Sequence, residues 1–125
     1  MFSVRPTVAA GLACAILIPA HSGVGADPLE ITVRPKVATE PGFVRVTARV
    51  ERHAENRWLV VEAEGPTFFR SSQRQLDGEY AARTHVVEFT TLPPGDYKIR
   101  VRVGGVGDQI RAAEWRDFKV LGEVR

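Results

Sequence analysis

Apolar and polar residues alternate one by one through much of this chain. From position 44 to 51, valine and alanine alternate with arginine, threonine and glutamate, and the same period of two returns in residues 29–34 and 97–103. Successive side chains of an extended strand point to opposite faces, so this period is typical of strands with one buried face. No window of a dozen residues carries the period of an amphipathic helix. The sequence therefore predicts an all-β domain.

Seven segments have strand-like composition, and glycine, proline or aspartate turns separate them. The third segment is ambiguous, because Glu62 and Glu64 favour solvent for one of its faces while Trp58, on that same face, favours burial. Residues 76–83 are predicted to form a polar loop. The predicted strands cover residues 29–34, 44–51, 57–64, 67–72, 84–91, 97–103 and 111–120.

Residues 1–26 have the organisation of a secretory signal peptide. One basic residue, Arg5, precedes an apolar stretch at positions 8–20, and a small polar run follows it. The apolar stretch is shorter than the roughly 20 residues that a membrane-spanning helix needs. We expect cleavage after Ala26, which leaves residues 27–125 as one mature domain in the periplasm or outside the cell, with no stable membrane span.

Charge and cysteine content exclude several classes of function. The chain has 17 Lys and Arg residues against 15 Asp and Glu residues, and its formal net charge of +2 is too small to indicate a nucleic-acid partner. Its single cysteine, Cys14, lies in the predicted signal peptide. A mature chain without cysteine has no disulfide, no thiolate metal site and no redox pair. We therefore expect no cofactor.

Residues 92–97 carry the pattern Leu-x-Pro-Gly-x-Tyr at the entrance to an alternating strand. This pattern resembles the tyrosine corner of fibronectin type III and related bacterial immunoglobulin-like domains. The resemblance implies a seven-stranded antiparallel β-sandwich, with Trp58 in its core and the Tyr97 hydroxyl bonded to backbone near the corner. It implies a structural role for Leu92, Pro94 and Gly95, and it carries no information about function. Residues 69–78 also resemble part of short exported bacterial proteins with no known activity.

An excess of aromatic residues is the main indication of a binding surface. Phe68, Phe69, Tyr80 and Trp115 exceed what one small core needs. Because Phe68 and Phe69 are adjacent, an extended backbone sends them to opposite faces, and at least one of them leaves the core. Exposed aromatic rings stack on sugars or anchor protein partners. We predict that these four residues, with Arg70, hold a protein or glycan of the cell envelope, and that the protein is a binding or structural module.

A hydrolase is the first alternative to a binding module. It would have to recruit one residue from each of three pairs, His53 or His85, Ser71 or Ser72, and Asp77 or Asp96. No catalytic motif places any of these nucleophiles beside a base. We therefore predict that the protein is not an enzyme and has no catalytic residue.

A periplasmic copper carrier is the second alternative. The C-terminal half resembles those exported sandwiches, which share the Pro-Gly-x-Tyr corner, but residues 107–109 are Gly-Asp-Gln where they have Asp-Gly-His. Only cleavage after Ala20 would supply a ligand, through the amine and ring of a new first residue, His21. With cleavage after Ala26 we predict no metal site.

Overall fold

A computed structural model describes residues 27–123, and the predicted signal peptide lies outside them. The described chain is built from strands and one short 3-10 helix (Gly78–Tyr80), so the predicted all-β class is confirmed. The described strands number eight rather than the expected seven. They are β1 (Leu29–Arg34), β2 (Val37–Thr39), β3 (Gly42–Val50), β4 (Trp58–Glu64), β5 (Phe69–Gln75), β6 (Thr84–Leu92), β7 (Gly95–Gly104) and β8 (Ile110–Leu121).

The strands form two sheets. One sheet has three strands in the order β1-β3-β6, and the other has five in the order β2-β8-β7-β4-β5. Neighbouring strands are antiparallel except for β2, which runs parallel to β8. The sequence missed β2 because three residues are too few to show an alternation. The chain enters β2 after Pro35 and Lys36, and the Lys119 amide donates a hydrogen bond to the Lys36 carbonyl at 3.1 Å.

The core lies between the two sheets and is filled by alternate residues of the strands. The alternation in β3 and β7 places the expected apolar side chains inside. In β4 the inward residues are Leu59, Val61 and Ala63, each no more than 1% exposed, which resolves the ambiguous third segment. Removing apolar area from water at about 25 cal/mol per Å² is the main stabilising contribution in such a domain. Stability therefore depends on the faces that the alternation selects.

Trp58 lies on the outer face of the five-stranded sheet, so its implied place in the core is wrong. Its partner in the β4–β7 ladder is Gly104. A Cβ atom added to Gly104 would fall on the six-membered part of the indole, closest to Cζ2, Cε2 and Cη2. The ring therefore lies face-down on Gly104, where only glycine leaves room for it, while the inward position beside it belongs to Leu59.

The corner at residues 92–97 has the predicted hydrogen bond. Tyr97 is 3% exposed, and its hydroxyl donates to the Pro93 carbonyl at 2.7 Å. The Tyr97 ring also packs against Phe118, with 6.0 Å between the ring centroids. Leu92 is fully buried beneath the turn. The corner thus fixes the path of the chain from β6 in one sheet to β7 in the other.

Arginine side chains close one side of the sandwich, where β5 and β6 are edge strands of different sheets. Arg70 donates a hydrogen bond to the Thr90 carbonyl at 2.9 Å, and Arg74 donates one to the Val86 carbonyl at 2.7 Å. Both acceptors belong to β6 and both donors to β5. These bonds occupy backbone groups that a second chain would otherwise use for strand pairing.

Candidate functional site

The predicted partner-binding residues do not form one surface. Phe69 and Trp115 share the outer face of the five-stranded sheet, 57% and 51% exposed, but β4 and β7 lie between their strands. Phe68 packs against the core, and the Arg70 guanidinium lies 5.0 Å from the centroid of its ring. Tyr80 is 85% exposed in the 3-10 helix. The fold therefore does not bring these five side chains together, and adjacent Phe68 and Phe69 lie on different faces of the sheet.

Charged side chains of β4 and β7 cover the middle of the five-stranded sheet's outer face. Arg102 pairs with Glu62 at 2.6 Å, and Arg100 pairs with Glu64 at 3.2 Å. Lys98 lies 4.2 Å from the centroid of the Trp115 ring. Exposed ion pairs contribute about 0 to 1 kcal/mol each. This region is a half-buried, internally paired surface, and its basic residues do not form a free anion site.

Three loops meet at one end of the sandwich, which we call the loop end: residues 51–57, 76–83 and 105–109. Asn56 is only 3% exposed and joins the first two of these loops to each other and to the start of β8. Its side-chain nitrogen donates to the Glu51 carbonyl at 3.0 Å, and its carbonyl accepts from the Gly78 amide at 3.1 Å. Its side-chain oxygen accepts from Arg111 Nε at 3.1 Å. These bonds hold the first two loops against the start of β8, and the third loop is joined to β4 by the hydrogen bond from Trp58 Nε1 to the Gly107 carbonyl at 3.3 Å.

The loop end exposes apolar side chains. Tyr80 is 85% exposed, Val106 is 74% exposed, and Ile110, the first residue of β8, is 48% exposed. Tyr80 belongs to the loop between β5 and β6, and Val106 to the loop between β7 and β8. Of these residues the sequence analysis had singled out only Tyr80. The sequence did indicate that Val106 is exposed. It lies among three glycines at positions 104–107, and an apolar residue in such a turn is not part of a strand that could bury it.

A groove of about 530 Å³ opens where the loop end meets the outer face of the five-stranded sheet, and we call it the Trp58 groove. Ligand sites commonly have volumes of about 300 to 1,000 Å³. The Trp58 ring forms part of its wall, with Nε1 donating to the Gly107 carbonyl at 3.3 Å. Its lining residues are Arg57, Trp58, Gln73, Gln75, Leu76, Gly105, Val106 and Gly107.

Both histidines of the described chain stabilise turns. His53 Nδ1 accepts a hydrogen bond from the Glu55 amide at 3.0 Å, and His85 Nε2 lies 2.8 Å from the Ala82 carbonyl oxygen. Between residues 27 and 123 no group of three His, Cys, Asp or Glu side chains is arranged to hold a metal ion. In the same part of the chain, no helix has the length and apolar character needed to cross a membrane.

Comparison with known proteins bears on the fold. No protein-family model and no curated protein sequence matches this chain. The structure is similar to the superoxide reductase (neelaredoxin) from Ignicoccus hospitalis, with a TM-score of 0.59 and 12% sequence identity over 75% of this chain and 80% of that chain. At this identity the likeness shows the fold alone.

The structural match corrects the family predicted from the tyrosine corner. The expectation was a fibronectin type III or related bacterial immunoglobulin-like domain, but the fold is similar to that of a superoxide reductase. No family model supports the expectation either. The physical reason is that the corner constrains six residues and one hydrogen bond, from Tyr97 to Pro93. It does not specify the number of strands or the parallel pairing of β2 with β8.

Proposed function

We propose that this protein is an exported, non-catalytic binding module that holds a partner, a protein or glycan of the cell envelope, at its loop end. Its export rests on the sequence pattern of residues 1–26. The observation that carries the proposal is the network around buried Asn56, which joins loops 51–57 and 76–83 to the start of β8, while the loop end exposes Tyr80 and Val106.

Rigid loops with exposed apolar side chains favour binding for a thermodynamic reason. A partner that meets a preorganised surface avoids the ordering cost of about 0.5 to 1.5 kcal/mol for each side chain that must be immobilised. Arg111 strengthens the arrangement, since it also contacts Glu55 at 3.1 Å. Recognition residues of many proteins lie on loops that a rigid scaffold positions in this way.

The engagement of the histidines supports a non-catalytic role. A general base must lie within hydrogen-bond reach of the proton that it removes. His53 and His85 instead make local contacts with the backbone of their own turns. The candidate nucleophiles Ser71 and Ser72 belong to β5, whose Arg70 and Arg74 side chains are committed to β6.

Affinity capture from cell-envelope extract tests the proposed function. The bait is the exported protein, compared with a double variant, Tyr80→Ser with Val106→Ser, and with the matched control Phe69→Ser. All three changes remove exposed apolar side chains, but Phe69 lies on β5, away from the two loops. We expect the loop-end variant to lose a partner that wild type and the control both retain. Equal capture by all three baits refutes the proposal, and thermal melting establishes that each bait is folded.

A further inference from the structure

We propose that the Trp58 groove binds a neutral glycan, with the Trp58 indole as the stacking platform and the Gln73 and Gln75 amides as the hydroxyl-binding groups. This inference rests on the proposed binding function and names its ligand class. It gives a binding role to Trp58, which the family resemblance implied was a core residue.

The first step concerns the indole, which is held flat and in one place. One face of the ring is covered by Gly104, and its only polar atom, Nε1, donates to the Gly107 carbonyl. The ring is half-buried and lines the groove. A ring fixed in this way offers its other face to a ligand without losing side-chain freedom on binding. The apolar C–H face of a pyranose ring is the complementary surface, since aromatic side chains combine an apolar body with a polar edge.

The second step concerns two amides beside the ring. Gln75 is the direct partner of Trp58 in the β4–β5 ladder, and Gln73 is the partner of Val60 on the same outer face. Within residues 27–123 neither side-chain amide has a protein hydrogen-bond partner among the contacts of the structure, and both residues are exposed. An amide both donates and accepts hydrogen bonds. Sugar hydroxyl groups do the same, so uncommitted amides next to a stacking face fit the rim of a pyranose.

The third step concerns charge, which favours a neutral ligand. The lining contains no carboxylate, and its one charged residue is Arg57. The Arg57 guanidinium is already engaged, because Nη1 donates to the Ala54 carbonyl at 2.6 Å and to the Asn56 carbonyl at 3.0 Å. Arg102, on the neighbouring strand, is paired with Glu62. The groove therefore offers neither a site for a cation nor a cluster of free bases for a polyanion.

The same features favour a glycan over a protein. Protein interfaces concentrate their binding energy in aromatic or arginine anchors that are fully desolvated in pockets of the partner. The Trp58 ring cannot insert into a partner, because it lies against its own sheet on Gly104. A flat ring flanked by polar side chains instead matches a flat ligand with hydroxyl groups around its edge.

Tryptophan fluorescence provides the test, because the chain has only two Trp residues. The variant Trp115→Phe leaves Trp58 as the single reporter, and calorimetry with wild type checks that this change does not alter binding. The probes are cellohexaose, chitohexaose and maltohexaose. We expect a saturable change of emission with at least one of them. No saturable change with any of the three overturns the inference.

Two further variants separate the role of the groove from a loss of folding. Trp58→Ala should weaken binding at least tenfold by calorimetry, and the double variant Gln73→Ala with Gln75→Ala should do so by about tenfold while it leaves the ring and the melting temperature in place. Phe69→Ser, on the same sheet face, is the control and should bind as wild type does. Wild-type affinity in the glutamine variant overturns the inference even if Trp58→Ala does not fold.

The outcome for the glycan is distinguishable from the outcome for the proposed function. Suppose that no oligosaccharide binds but capture of an envelope protein still depends on Tyr80 and Val106. The proposal of a glycan ligand is then refuted, whereas the proposed binding function is supported. If the oligosaccharides bind and capture is unchanged by Tyr80→Ser alone, the Trp58 groove is the binding site and the exposed Tyr80 loop is not.

Discussion

Replacing Tyr97 with phenylalanine removes one hydroxyl group and leaves the aromatic ring on Phe118. In the wild type that hydroxyl donates to the Pro93 carbonyl at 2.7 Å, from a residue that is 3% exposed. The variant loses the hydrogen bond and leaves the carbonyl without its partner, which costs about 1 to 3 kcal/mol. For a domain of this size each kcal/mol lowers the melting temperature by about 4 to 8 °C. We expect Tyr97→Phe to melt at least about 4 °C below wild type.

The assay is thermal unfolding followed by circular dichroism, with urea unfolding at room temperature as a second measure. Tyr80→Phe is the matched control, because it removes the same atom from the other tyrosine of the chain, which is 85% exposed. The control should stay within about 0.5 kcal/mol of wild type, as surface substitutions usually do. If Tyr97→Phe and Tyr80→Phe melt together, the hydroxyl does not stabilise the corner and the reasoning is refuted.

Three other measurements follow from the structure. Burial raises the pKa of Tyr97 above its usual value of 10.0. Above about pH 10 the unfolded state therefore ionises while the folded state resists ionisation, so the free energy of unfolding should fall as pH rises. The fall should be less steep in Tyr97→Phe. Gly104→Ala places a methyl group where the ring of Trp58 lies. The variant should lose about 1 to 3 kcal/mol of unfolding free energy, and the Trp58 emission should shift to the red. Unchanged emission contradicts the face-down packing. Replacing Arg70 and Arg74 together by glutamine frees carbonyls at the edge of β6, and sedimentation velocity should then show self-association that wild type lacks.

Much of the architecture is predictable because it follows from local alternation. Each strand longer than three residues was expected within a few positions of where it lies, since a period of two is a property of neighbouring residues. The inward faces follow from the same alternation, and the cross-strand pairing of Glu62 with Arg102 follows once β4 lies beside β7. The corner hydrogen bond of Tyr97 belongs to this group, because donor and acceptor are four residues apart.

The candidate site was not predictable, because it depends on which distant strands become neighbours. Composition identified the surplus of aromatic residues, yet the pairing of β4 with β7 is what places Trp58 over Gly104 and removes it from the core. The same pairing sets Trp115 two strands away from β4 and leaves Phe69 at the far edge. Alternation predicts on which side of its sheet a side chain lies. It does not predict which residues of other strands lie next to that side chain. The sequence by itself thus determines the strands, their buried faces and the types of side chain available. The tertiary packing of the two sheets decides which of those side chains become neighbours.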